Sequence, residues 1–209
     1  LMVPVIFPAI HEAFPATPET TLSWMVSGYA IVMASLVVTS GRVGDRMGRK
    51  PVYFAGLIAW IVGAAGSAFA PTAGVLIAAR LLQGAGQALL MPASVGLLLL
   101  AVPPERHPRA LAAWIGAGTI GGAVGPAFGA LMVAGPGWRA GFGLSAAFCL
   151  AVLIPARRVL SDRPRRQDAT MPDPVGSVAL GLMLAAVVMA ILKVRVWGLG
   201  DVRIIIALV

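Results

Sequence analysis

The stretch GRVGDRMGRK at residues 41–50 holds five charged side chains, Arg42, Asp45, Arg46, Arg49 and Lys50, between two long apolar runs at residues 22–40 and 52–70. Each run is close to the roughly 20 residues that cross a hydrocarbon layer about 30 Å thick, so the charged stretch reads as a tight hairpin between two membrane-spanning helices. Its excess of positive charge in so short a loop marks the cytoplasmic side and orients the chain. Gly41, Gly44 and Gly48 would let two helix ends approach and turn without Cβ clashes, and Pro51 suits the first turn of the following helix. From spacing alone, a solvated loop with no further role is an equally good reading.

Composition carries the membrane reading outward to the whole chain. With 59% hydrophobic and 11% charged residues and a mean hydropathy of +0.91, the chain is not an ordinary soluble domain, in which about 25% of residues are charged. A net charge of +8 would suit a nucleic-acid partner, but the bases cluster in short loops between apolar runs, where the positive-inside pattern explains them. The single cysteine, Cys149, excludes an intrachain disulfide and a cysteine-based metal site. His11 and His107 are far apart and unaccompanied, so nothing suggests a metal centre, a cofactor or a membrane enzyme.

In chain order, the apolar runs predict an all-α integral membrane protein. A first helix, already under way at residue 1, ends near Ile10; further helices follow at residues 22–40, 52–70, 75–102, 110–134, 140–156 and 175–192. Trp24 and Tyr29 are expected at the outer interface, and Pro92 marks a bend in a fourth helix longer than a membrane needs. Residues 1–156 form a six-helix unit, residues 157–174 a basic cytoplasmic linker, and residues 175–209 the beginning of a further helix pair. Both termini fall inside apolar runs, so the chain reads as a fragment of a longer membrane protein. Of the 16 Lys and Arg residues this topology places eleven inside, four outside and Arg80 within a span.

Arg80 is the residue singled out for chemistry. An ionisable group at membrane depth costs a few kcal/mol and is a functional candidate by default, with a snorkelling interfacial arginine as the alternative. Gln83 lies one turn on and can hydrogen-bond on the same face. All eight acidic residues fall in loops or at helix ends, which leaves no carboxylate at membrane depth. In the fifth helix Gly121, Gly125 and Gly129 recur every four residues, putting them on one face where another helix could approach closely, and Pro126 adds a kink. The formal G-x-G-x-x-G at residues 116–121 has neither the preceding strand nor the later acid of a dinucleotide site.

These motifs carry a resemblance. GRVGDRMGRK resembles the loop signature of the major facilitator superfamily, G-x-L-a-D-r-x-G-r-k, at Gly41, Asp45, Arg46, Gly48, Arg49 and Lys50, with Val43 in place of the leucine. The resemblance implies that the loop joins the second and third helices and acts as a conformational latch. The sequence from Arg80 to Gly86 is similar to the family's fourth-helix motif R-x-x-Q-G-x-G, which implies a part for Arg80 and Gln83 in a proton path. The glycine series resembles the antiporter motif G-x-x-x-G-P-x-x-G-G at Gly121, Gly125, Pro126 and Gly129, with Ala130 replacing the last glycine, and this motif implies an exporter. Trp138-Arg139 and Asp173-Pro174-Val175-Gly176 resemble features of drug:proton antiporters with fourteen transmembrane helices; twelve-helix exporters share the long basic linker.

What the resemblance implies is a multi-pass protein of the cell membrane that exports drugs or other amphipathic or cationic small molecules by alternating access. The proton gradient would be its energy source, with no cofactor. In such exporters the first helix carries an aspartate upstream of a segment similar to IFPAI, residues 6–10, which would place the coupling acid before residue 1. An importer or exporter of a sugar or metabolite on the same fold is the alternative, which polar inner faces would favour.

Overall fold

A computed structural model describes residues 2–160 and 174–197, and every described element is helical. The helices are α1 (Met2–Ala13), α2 (Glu19–Leu22), α3 (Trp24–Met47), α4 (Arg49–Ala68), α5 (Ala73–Ala101), α6 (His107–Ala134), α7 (Trp138–Val159) and α8 (Pro174–Trp197), with one 3-10 turn, Pro104–Arg106, ahead of α6. Five spans, with α2 and α3 counted as one, are long and apolar enough to cross a membrane among the described residues. In lipid a helix is the element that satisfies every backbone polar group within itself, so apolar runs of this length have no other open form available. Most of the basic linker and the second central helix lie outside the described residues.

The charged stretch departs from the expected loop. Helix α3 runs through Gly41, Gly44 and Asp45 to Met47, and α4 begins at Arg49 with Lys50 and Pro51 in its first turn. The reversal is made at Gly48 alone, with φ of 99°, a backbone region that a Cβ disfavours. Gly41 and Gly44 are ordinary helical residues. The charges that suggest a hairpin lie in the last two turns of one helix and the first turn of the next.

Helix α5 is the centre of the bundle, lying against α3 on one side and α4 on the other; α4 also packs on α7, α1 on α6, and α8 on α3. It begins at Thr72, whose hydroxyl accepts the Val75 amide at 3.3 Å as an N-cap, and continues uninterrupted through Pro92 for 29 residues. Glycines set the closeness of these crossings. A Cβ on Gly86 would lie 2.8 Å from the Gly56 carbonyl, one on Gly56 equally close to the Gly86 carbonyl, and one on Gly63 would lie 2.7 Å from the Ala79 carbonyl. Without Cβ atoms the two backbones touch, and dispersion between them replaces the hydrophobic drive that lipid cannot supply.

Near the Thr72 end an apolar cluster joins α1, α2, α3, the α4–α5 turn and α7, and includes Ile6, Ile10, Leu22, Met25, Leu76 and Phe142. Trp138 opens α7 after the turn at Gly137 (φ 94°) and sits between Phe14 and Phe142, each ring centroid 6.1 Å away. Arg139 donates to the Ala70 carbonyl at 3.2 Å, so the Trp-Arg pair ties the start of α7 to the end of α4.

Candidate functional site

Arg80 stands two turns into α5 and is 7% exposed, so it does not snorkel to an interface. Its Nε donates to the Met25 carbonyl of α3 at 3.2 Å and one Nη donates to the Gln83 Oε1 at 2.6 Å. The guanidinium carbon lies 4.4 Å from the centroid of the Tyr29 ring and 5.8 Å from that of Phe142. The cation is thus held by a carbonyl, an amide and two aromatic faces, all neutral, and among the described residues no carboxylate pairs with it. Aromatic faces and carbonyl oxygens offset part of the desolvation of a buried cation without neutralising it. What results is a positive charge buried inside the bundle and met only by neutral groups among the described residues.

The surrounding glycines explain why this arrangement fits. A Cβ on Gly84 would sit 2.6 Å from the Tyr29 carbonyl, so its absence lets α3 come close enough for the Tyr29 ring to cover Arg80. Gly63 of α4 leaves the space that the aliphatic stem of Gln83 fills, and Gln83 is 1% exposed. The Arg80-to-Gly86 motif therefore encodes both the charged pair and the backbone approach that buries it.

Tyr29, expected at the interface, turns inward and meets Trp60 edge-on at 6.3 Å as well as Arg80. Sequence reasoning misses this role, along with that of the Met25 carbonyl. The available signal is energetic: an arginine at membrane depth needs a ring or a carbonyl nearby, but nothing in the sequence says which helix supplies it.

The charges of residues 41–50 lie elsewhere. Arg49 pairs with Asp45 across the Gly48 turn, Nη to Oδ1 at 2.9 Å and Nε to the same oxygen at 3.2 Å. The guanidinium of Arg49 rests on Gly96 of α5, where any Cβ would collide with it. Lys50 donates to the carbonyl of Arg157 in the last turn of α7 at 3.4 Å, and Arg46 is half-buried at the end of α3. Gly96 lies sixteen residues after Arg80 on α5, which is about 24 Å of helix. The latch candidates and the proton-path candidates are therefore two sites joined by one helix, and Gly96 is a partner to which no motif points.

The third group is dispersed. On α6, Gly129 is buried against Met2 and Ile6 of α1, whereas a Cβ on Gly121 would meet nothing within 4 Å and Pro126 is exposed. The expected close helix approach occurs at one end of the series only.

A model of the Major Facilitator Superfamily matches residues 1–209, the full length of the chain. The chain is similar to the tetracenomycin C resistance and export protein of Streptomyces glaucescens, 29% identical over 202 residues that cover 97% of this chain and 37% of that protein. The methylenomycin A resistance protein of Streptomyces coelicolor is 35% identical over 186 residues, covering 88% of this chain and 38% of its own length. The drug efflux pump JefA of Mycobacterium tuberculosis is 32% identical over 197 residues, covering 92% and 38%. The chain spans less than two fifths of the length of these curated relatives. Three motifs in family order, an all-helical bundle with five membrane-length spans and a family match from end to end place this multi-pass membrane chain in the Major Facilitator Superfamily.

Proposed function

We propose that the protein to which this chain belongs exports drugs or other amphipathic small molecules across the cell membrane in exchange for protons, by alternating access. The observation that carries this reading is the Arg80 site: a buried cation held at 2.6 Å by Gln83 and covered by Tyr29, with only neutral partners among the described residues. A fixed positive charge of this kind lowers the proton affinity of a carboxylate brought near it and can return the proton when the two separate. Relatives named for antibiotic resistance and export support the direction of transport.

In this reading the Gly48 turn faces the cytoplasm, in accord with the excess of Lys and Arg at that end of the bundle. Asp45 and Arg49 form the latch, and Gly121, Gly125, Pro126 and Gly129 shape a hinge or seal in α6. The work is binding and movement rather than catalysis, the proton gradient is the energy source, and no cofactor is needed. The central helix α8, packed on α3, fits an exporter with fourteen helices.

The test is resistance in an efflux-deficient host expressing the full-length gene, wild type against Arg80→Ala, with the proton gradient collapsed in parallel. Resistance lost in both arms is the expected result. Wild-type resistance that survives gradient collapse, or resistance to no compound, would refute proton-driven export and favour transport of a metabolite.

A further inference from the structure

Helix α6 leans on α1 at Gly129 but leaves a wedge between itself and α4, α5 and α7. The wedge holds a cavity of about 1010 Å³, at the upper end of the roughly 300–1,000 Å³ typical of sites for drug-sized molecules. Three of the four helices turn an aromatic ring into it: Tyr53 from α4, Trp114 from α6 and Phe148 from α7. No charged side chain among the described residues lines it.

Its polar groups differ in availability. The hydroxyls of Ser94 and Thr119 donate to carbonyls of their own helices, at 2.9 Å to Met91 and 3.0 Å to Ile115. The Gln87 side-chain amide and the Tyr53 hydroxyl, both half-buried in the lining, have no hydrogen-bond partner among the described residues. A half-buried amide and phenol without partners are groups that a ligand can satisfy. Arg80, Gln83 and Gln87 also share one stripe of α5, at the i, i+3, i+7 spacing, so the cavity lies two turns from the Arg80 site along the same helix face.

We infer that this cavity binds an uncharged, aromatic, amphipathic small molecule, stacked among Tyr53, Trp114 and Phe148 and oriented by Gln87 and the Tyr53 hydroxyl. The aromatic faces match a planar ring system by area and quadrupole. A permanent cation would meet the same ring faces but no carboxylate and no guanidinium-type network of carbonyl acceptors, so its desolvation is offset only in part, and a neutral ring system is favoured over the cationic branch of the expected substrates. A saturated acyl chain would fill the volume and leave both polar groups unsatisfied. The inference rests on the export reading and names its substrate class.

The test uses the full-length protein in phospholipid nanodiscs, with N-phenyl-1-naphthylamine as the neutral aromatic probe and ethidium as the cationic one. Cys149 lines the cavity, and its alkylation by N-ethylmaleimide, read on its own peptide by mass spectrometry, reports occupancy. At ten times its Kd the neutral probe slows alkylation about tenfold, and ethidium does not. A Cβ on Gly118 meets nothing within 4 Å, so Gly118→Phe starts from open space and directs its ring into the cavity, and the fluorescence of the bound probe is expected to be lost. Gln87→Leu keeps the volume and weakens probe binding about tenfold. Should Gly118→Phe not fold, Gln87→Leu and the alkylation rate decide the matter.

An alkylation rate unchanged by the neutral probe overturns the inference. So does equal protection by ethidium, or protection that phospholipid alone supplies and the probe does not alter, which would mean a lipid-filled cleft. No gradient is applied, so binding without resistance in cells would sink export and leave the cavity standing; resistance without binding would do the reverse.

Discussion

The crossings of α5 with its neighbours and the open face of α6 use the same residue type in opposite ways. At the crossings, Gly56, Gly63, Gly84 and Gly86 are each filled to the limit by a neighbouring backbone, and a Cβ at any of them would lie within 3 Å of a carbonyl oxygen of another helix. On α6, Gly116, Gly118 and Gly121 face open space. Small residues at helical spacing permit close approach; they do not compel it. The difference lies in what the glycine leaves room for, and that divides a structural crossing, which buries Arg80, from a helix whose open face lines a cavity.

The sharpest way to break this comparison is Gly86→Leu. Forcing a side chain between touching backbones should cost about 3 kcal/mol, the upper end of overpacking, and appear as a large drop in the thermal midpoint of the purified full-length protein. If this variant is as stable as one altered on α6, the crossing is not closed.

Next comes Arg80→Met. It leaves the Gln83 amide and the Met25 carbonyl without their shared donor, a loss of about 2 kcal/mol. Transport should vanish in a vesicle assay even at temperatures where the variant is fully folded. Retained proton-coupled uptake into inverted vesicles would show that Arg80 is a packing element only.

Gly96→Ala probes an intermediate case, a glycine occupied by a side chain rather than a backbone. The methyl displaces Arg49 and breaks an exposed pair with Asp45, costing no more than about 1 kcal/mol. Transport rate should fall further than stability does, since the pair joins two helix ends. Equal losses in both would argue against a latch.

The smallest effect is expected for Gly121→Ala, within about 0.5 kcal/mol, because the new methyl meets nothing in this bundle. Chemical unfolding of the chain 1–209 and of the full-length protein would separate two contributions. A large destabilisation confined to the full-length protein would mean that another helix packs at Gly121 there.

Much of the architecture is legible in the residues. Apolar runs of membrane length at 22–40, 52–70 and 110–134 correspond to α3, α4 and α6, though the helix bounds differ from the runs by a few residues. The difference matters most at residues 41–50, where charge suggests a loop. Charged side chains suit a helix well once it has left the hydrocarbon, and only Gly48 has the dihedral of a turn. Of the candidate site, the Arg80–Gln83 pair is readable because its two members are one turn apart on one helix. Tyr29 is not, since it comes from a residue 51 positions earlier in the chain.

The sequence by itself determined which segments are long and apolar enough to cross a membrane, which short segments gather the positive charge, and that an arginine lies within one of those apolar helices. These follow from local composition and helical period, because in lipid the backbone of each span must satisfy itself. Only the tertiary structure decided which glycines are used for contact, that Arg80 is met by neutral groups of α3 and α7, that Arg49 rests on Gly96, and that α6 stands off far enough to leave an open-sided cavity. Those outcomes depend on the relative docking of helices that are already complete. That docking is governed by shape and dispersion between distant segments, which no local pattern encodes.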